Sequence, residues 1–260
     1  YMQIIIGKHG YRRFHSKSAS NLITYKDFIN MNTSIIVFPG SNCDRDIAVA
    51  IRNVSNTEPN MVWHKETSLN KADLIVLPGG FSHGDYLRSG SIASRAPIMK
   101  EVIKLANNGT PILGICNGFQ ILTECELLPG VLMRNKNMQF ICKYTYLISN
   151  NENKWVNKKE INKVISYPVA HHDGNYFCNK DELNNLKANN RIVFQYCSAT
   201  GIISEENNIN GSLYNIAGIT NKNGNVLGMM PHPERAISKN LGGNDGISFF
   251  ENFFNNIGNL

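Results

Sequence analysis

The sequence is short of several common landmarks. Charged residues make up 18% of the 260-residue chain, and tryptophan occurs twice. No apolar run approaches the roughly 18 residues that a membrane-spanning helix needs, which excludes such a helix. No fixed-period repeat is present, which argues against a solenoid or a propeller. There is no G-x-x-x-x-G-K-[ST] loop and no G-x-G-x-x-G after a strand, so neither common phosphate-binding loop is available. The six cysteines (Cys43, Cys116, Cys125, Cys142, Cys178 and Cys197) contain no C-x-x-C pair and no zinc-ligand spacing, so no metal site is expected. A chain of this length without a secretory signal is expected to keep its thiols reduced, in the cytoplasm.

What is present is a globular composition. Hydrophobic residues reach 42%, enough for a sizeable core. The formal net charge is +6, but most of it lies in residues 1–30, where Lys8, Arg12, Arg13, Lys17 and Lys26 face Asp27 alone. The body is therefore close to neutral, and nucleic acid is not expected as a partner. Residues 1–32 read as a basic N-terminal extension, with targeting or an upstream translation start as the other readings and Met31 as a second plausible start. Residues 33–260 read as one α/β domain.

Strands are predicted over 34–38, 60–64, 72–77 and 112–115, with helices over 44–54, 97–107 and 117 to about 127. Helices of that length between strands imply parallel pairing with right-handed crossovers. The second half is more strand-like, over 139–148, 162–170, 191–197 and 225–230. Asn-rich connectors separate these strands, and an amphipathic helix is predicted over 247–254. The expected fold is a flavodoxin-like three-layer α/β sandwich, with a mostly parallel central sheet and a small antiparallel annex.

The strongest local signal is Gly114-Ile115-Cys116-Asn117-Gly118, between an apolar strand and a helix. That is a nucleophile elbow with Cys in the reactive position. Its glycines remove side chains that would clash in the sharp turn. The helix N-terminus favours an anionic sulfur. A base is supplied by His232-Pro233-Glu234, where residues two apart in an extended segment point to one side and Glu234 can orient the imidazole. Pro231 and Pro233 are expected to hold that segment extended. Pro78-Gly79-Gly80-Phe81 ends a strand at the edge where α/β sheets place ligands. Backbone amides near Gly80, with that of Asn117, are candidates for an oxyanion hole.

Residues 114–120, taken with His232-Pro233-Glu234, resemble the class I, triad-type glutamine amidotransferases. Residues 40–44, 78–90, 134–143, 170–176 and 229–236 extend the likeness to the purine-biosynthetic branch of that family, the glutaminase subunits of phosphoribosylformylglycinamidine synthase. The resemblance covers residues 33–254. It implies that Cys116 is the nucleophile, His232 the general base and acid, Glu234 its orienter, and that Gln120 lies beside bound glutamine. It also implies that residues 134–143 and 170–176 shape the glutamine pocket or a docking face. No cofactor is expected in this chain. The implied partners are a large synthetase subunit, which binds ATP, Mg²⁺ and formylglycinamide ribonucleotide, and a small adaptor subunit.

Three rival readings are weighed. One is an amidotransferase serving GMP or CTP synthesis, which residues 40–44 and 82–90 oppose. Another is a catalytically silent binding subunit, which the intact Cys116/His232/Glu234 set opposes. The third is a redox sensor built on Cys116, which has no need of His232-Pro233-Glu234.

Overall fold

The computed structural model of the protein describes residues 31–55 and 57–257. The first half runs β1 (Thr33–Val37), α1 (Asp44–Ser55), β2 (Asn60–Trp63), β3 (Leu74–Leu77), α2 (Met99–Asn107), β4 (Ile112–Ile115) and α3 (Asn117–Glu124). The second half adds β5 (Val131–Met133), β6 (Ile141–Ile148), β7 (Ile165–His171), β8 (Asn175–Phe177), α4 (Lys180–Ala188) and β9 (Ile192–Cys197). It closes with β10 (Ile216–Thr220), β11 (Val226–Met229) and α5 (Asp245–Ile257). The basic segment expected over residues 1–30 lies outside the described residues. Met31, which is buried, and Asn32, whose amide donates to Asp73 Oδ2, already belong to the packed body.

Nine strands form one sheet in the order β2-β1-β3-β4-β11-β10-β9-β6-β7. Strands β2, β1, β3, β4 and β11 run parallel, and the remaining four pair antiparallel. The expected parallel core and antiparallel strands are thus continuous, while β5 and β8 make a separate two-stranded antiparallel sheet. Burial follows pairing: β3, β4 and β11 are buried at every position, as strands covered on both faces require. Edge strand β2 buries one residue, Val62, and leaves Trp63 exposed. Strand β7 alternates buried and part-buried residues, the signature of a sheet with one wetter face.

The helices follow from pattern and caps. Helix α1 opens with Asp44 and Asp46 at its positive end and buries Ile47, Ala48, Ala50 and Ile51. It packs beside α5, while α3 covers β3, β4 and β11, giving the flavodoxin-like three-layer arrangement. In α5, Phe249, Phe250, Phe253 and Phe254 are all buried, with Phe253 stacked on Trp155 at 4.6 Å.

Several elements differ from expectation for local reasons. Helix α3 stops at Glu124 instead of near Leu127. The Leu127 amide donates to the Leu122 carbonyl and the Glu126 amide to that of Thr123, a Schellman close with Glu126 at φ +60°. Helix α4 falls in the stretch read as an Asn-rich connector. Most of its residues are good helix formers (Lys180, Glu182, Leu183, Leu186, Lys187 and Ala188), and Asn179 caps it by accepting from the Glu182 amide at 2.8 Å. Strands β5 and β8, of three residues each, and β10 are not predicted.

The junction of β4 and α3 is tightly closed. A Cβ at Gly118 would run into the backbone carbonyl of Leu77 on β3, and one at Gly114 would strike Leu122 of α3. A backbone obstacle cannot swing aside as a side chain can, so Gly118→Ala should lower the unfolding free energy by about 3 kcal/mol or more. Gly109→Ala meets no atom within 4 Å and pays only for its left-handed backbone, about 1 kcal/mol. Urea denaturation of the two variants should separate them clearly, and equal losses would mean that the junction yields.

Candidate active site

Four loops meet where β1, β3, β4 and β11 end, the edge at which open α/β sheets bind ligands. Backbone hydrogen bonds join the first two: Phe81 donates to the Gly40 carbonyl (3.0 Å), His83 to that of Pro39 (2.7 Å) and Cys43 to that of Gly79 (3.3 Å). The Cys116 amide donates to the Met229 carbonyl at 2.7 Å, joining the other two. The His232 amide donates to Pro168 in β7 at 2.9 Å, so the antiparallel half also holds the site.

Cys116 sits at the turn with φ +50° and ψ −106°, a conformation that ordinary residues avoid. It is buried, and its Sγ lies 3.6 Å from the Ala170 carbonyl. His232 and Glu234 are each 1% exposed. His232 Nδ1 and Glu234 Oε1 are 2.6 Å apart, so Nδ1–H donates to the carboxylate and Nε2 is left for the substrate side. This contact is not made by an extended segment, as expected. Pro233–Arg235 is a 3₁₀ turn with Pro233 in its first position, where a fixed φ suits the turn and a missing N–H costs nothing.

The space at Gly79 measures the convergence of Cys116 and His232. A Cβ there would stand 2.6 Å from His232 Cε1, 3.2 Å from Cys43 Sγ and 3.3 Å from Cys116 Cβ. Three side chains distant in sequence therefore crowd one point. Burial works against a charge on His232. The Glu234 carboxylate, and then the Cys116 and Cys43 sulfurs, outweigh it and hold the imidazole well above its ordinary titration range.

A cavity of about 290 Å³ opens beside Cys116, lined also by Gly80, Asp85, Gln120, Arg134, His171 and Asp173. Gly80 has φ +136°, and a Cβ there would lie 2.7 Å from the Asn42 amide nitrogen, so the chain passes this point only as glycine. Asn117 is the first residue of α3, where amides lack intrahelical acceptors. Gly80 lines the cavity beside Cys116, and Asn117 follows Cys116 at the start of α3. The Asn117 side chain is engaged elsewhere: Oδ1 accepts from the Ser82 amide, and Nδ2 donates to Asp85 Oδ1 and Gln120 Oε1. Gln120 lines the cavity, but both its ends are occupied, since Nε2 donates to the Asp173 carbonyl at 2.7 Å.

Further groups join the site without a sharp sequence signal. Asp85 titrates near 6, raised by burial and by Asp173 against the pull of hydrogen bonds from Ser89 and Asn117. Arg134 and Asp173 pair at 3.1 Å, and Ser89 donates to Asp173 at 2.9 Å. His171 is pushed down to about 3 by burial and by the nearby His232 charge, and is neutral. Asp85, His83 and Leu87 all have positive φ, so this loop is strained in three places. Of the lining residues, Arg134, Ala170, His171, His172 and Asp173 fall in the segments expected to shape the pocket.

A buried imidazole on a carboxylate, facing a thiol at an elbow that opens a helix, has the parts of a triad-type amide-cleaving site. The family profile described as a CobB/CobQ-like glutamine amidotransferase domain matches residues 30–242. The phosphoribosylformylglycinamidine synthase subunit PurQ of Pelagibacter ubique is 51% identical over 227 residues, covering 87% of this chain and all of that one. Its counterpart in Synechocystis sp. is 52% identical over 217 residues, 83% of this chain and 97% of the other. A structure of PurLQS from Thermotoga maritima aligns with a TM-score of 0.76 at 40% identity, covering 87% of this chain and 99% of that one. The chain belongs to the glutamine amidotransferase family, in the branch formed by the PurQ subunits of phosphoribosylformylglycinamidine synthase.

Gly79→Ala tests the convergence directly. The added methyl displaces His232 or Cys116 while leaving the sheet intact. Glutaminase turnover should fall about 100-fold with an unchanged far-ultraviolet circular dichroism spectrum, since a misplacement near 1 Å costs that much. Full activity would mean that the two side chains are not held at this separation.

Proposed function

We propose that this chain is the glutaminase subunit of a phosphoribosylformylglycinamidine synthase. It hydrolyses glutamine through a Cys116 thioester and passes ammonia to an ATP-dependent synthetase of the PurL type. That partner, with a small PurS-type adaptor, converts formylglycinamide ribonucleotide to formylglycinamidine ribonucleotide in the cytoplasm. The observation that carries the reading is the meeting of Cys116 and His232 around Gly79, at the wall of a cavity large enough for an amino acid. The half-identity along nearly the whole length of the PurQ relatives supports the acceptor and the partners. No cofactor is assigned to this chain; ATP and Mg²⁺ belong to the synthetase. Among the described residues no helix is long and apolar enough to cross a membrane.

The parts define the cycle. Cys116 gives its proton to His232 Nε2, and the sulfur attacks the side-chain amide carbon of glutamine. The carbonyl oxygen becomes an oxyanion held by the Gly80 and Asn117 amides, each well-placed donor contributing about 3–4 kcal/mol. His232 returns its proton to the amide nitrogen, the C–N bond breaks, and ammonia leaves. Water then loses a proton to His232 and attacks the thioester, releasing glutamate and the thiol. Glu234 keeps Nε2 aimed at the reaction throughout. We assign Asp85 and Asp173 to the substrate ammonium. Gln120 fixes the wall that carries Asp173.

In the reconstituted complex, Cys116→Ala should abolish glutamine-dependent synthesis and spare synthesis from added ammonium salt. Loss of both would locate the damage in assembly, and retention of both would remove Cys116 from the chemistry.

Asp85 gives a second test. Folded Asp85 keeps its proton up to about pH 6, whereas an unfolded carboxyl releases it near 3.8, so its ionisation costs stability as pH rises through that window. Asn at this left-handed position is well tolerated. Asp85→Asn should raise the thermal midpoint at pH 7.5 more than at pH 4. It should also raise the KM for glutamine about tenfold, near the value of one hydrogen bond to a charge. The fall in kcat/KM below pH 6 should vanish in the variant. An unchanged KM and profile would remove Asp85 from glutamine binding.

A further inference from the structure

A second imidazole stands in the wall of the substrate cavity, and the cycle above gives it no task. His171 ends β7, is 2% exposed and lines the cavity together with Cys116. Its Nδ1 lies 3.1 Å from Asn135 Oδ1, while its Nε2 is buried without a hydrogen bond, which in a folded interior calls for a reason. Which nitrogen carries the proton follows from the backbone around Asn135. The Gly174 amide donates to Asn135 Oδ1 at 3.1 Å, and Asn135 Nδ2 donates to the Gln139 and His171 carbonyls at 2.8 and 2.9 Å. Those three backbone groups have fixed roles, so the side-chain amide has one orientation. Its Oδ1 can only accept, and His171 Nδ1 is therefore the N–H. Burial and the His232 charge outweigh a contact of the ring with its own backbone and keep His171 neutral. A neutral ring has one N–H, so Nε2 is a bare lone pair. The backbone at Gly174 covers one face of the ring, where a Cβ would run into it.

We propose that the His171 Nε2 lone pair accepts a hydrogen bond from the side-chain amide N–H of glutamine and so selects glutamine over glutamate. The inference deepens the glutaminase reading above and rests on it. The placement fits the reacting end of the cavity. Ala170, the preceding residue, has its carbonyl 3.6 Å from the Cys116 sulfur, and the His232 charge is felt at the His171 ring. A cation beside that charge would be repelled, so the donor that His171 takes is a neutral one. The carboxamide of glutamine is such a donor, and the substrate ammonium is left to the acidic groups of the cavity, Asp85 and Asp173. Ionised glutamate brings oxygens with no proton to give, so lone pair meets lone pair and a buried acceptor stays unpaired. A site built to receive an N–H rejects the analogue that lacks it. The atom that recognises the substrate thus also disfavours the product.

The test uses the reconstituted complex carrying Cys116→Ala, in which glutamine binds without turnover. Calorimetry gives the Kd for glutamine and for glutamate, with and without His171→Asn. Asparagine at this position keeps an N–H for Asn135 Oδ1 and removes the lone pair, so a merely structural role would survive the change. The preference for glutamine over glutamate should fall about tenfold in His171→Asn through weaker glutamine binding, the worth of one buried hydrogen bond. An undiminished preference overturns the proposal. Nitrogen-15 spectra of the histidine rings give a second measurement with His171 in place. Nε2 should show the shift of an unprotonated nitrogen, and glutamine should move it towards the hydrogen-bonded value while glutamate does not. A protonated Nε2, or an equal response to the two ligands, also overturns the proposal. The glutaminase reading is checked apart from this, in the complex with Cys116 intact. Absence of glutamate formation there would strike that reading, whereas turnover alongside an undiminished preference in His171→Asn strikes only the role of His171.

Discussion

The missing side chain at Gly79 is the constraint on which the site depends. An imidazole and two cysteine side chains from three other loops fill the space a Cβ would need, with contacts from 2.6 to 3.3 Å. Close packing of this kind fixes the reacting groups more firmly than the individual hydrogen bonds do, because each side chain is bounded by the others. The loops that carry them share backbone bonds, from Phe81 to Gly40, Cys43 to Gly79 and Cys116 to Met229. Movement of any one strand end is therefore felt by all of them. The left-handed backbone at Cys116 persists because the surroundings over-determine it: β4 and α3 hold it from both ends.

The antiparallel half of the sheet completes this frame. Pro168 in β7 accepts from the His232 amide, Ala170 offers its carbonyl to the Cys116 thiol, and His171 lines the cavity as a neutral ring. Asn135 fixes that ring, with Oδ1 at 3.1 Å from His171 Nδ1 and Nδ2 donating to the His171 carbonyl. The parallel half carries Cys116, His232, Gly80 and Asn117; the other half closes the cavity around them.

How far the sequence could be read depended on the range of the signal. The elbow at Gly114–Gly118 and the buried runs of β3, β4 and β11 are local patterns, and they fold as their periodicity indicates. The His232–Glu234 pair was also legible, but its geometry was not. Pro233 is equally at home in an extended segment and in the first position of a turn, and nothing in the sequence decides between them. Helix α4 escaped because its asparagines (Asn184 and Asn185 inside it, Asn189 and Asn190 after it) read as a connector, although its other residues favour helix and Asn179 caps it. Asp85 and Cys43 escaped for a different reason. Their importance comes from neighbours, Asp173 for one and His232 for the other, that only the fold brings near.

The outer lip of the cavity bears on how ammonia would travel. Phe81, which lines the cavity, is half-exposed, and on the same loop Tyr86 and Leu87 are 73% and 92% exposed. Phe140 lies 6.3 Å from Phe81 and 5.5 Å from His172, extending the apolar rim into the segment after Arg134. Water at this rim would protonate ammonia and end its life as a nucleophile. Apolar side chains are costly to leave in solvent, yet here they surround a cavity of polar groups. In the proposed complex they are suited to sealing against the synthetase, excluding water between the site of release and the site of use. The strain in this loop at His83, Asp85 and Leu87 then has a physical reason: it presents Tyr86 and Leu87 outward while holding Asp85 at the cavity wall.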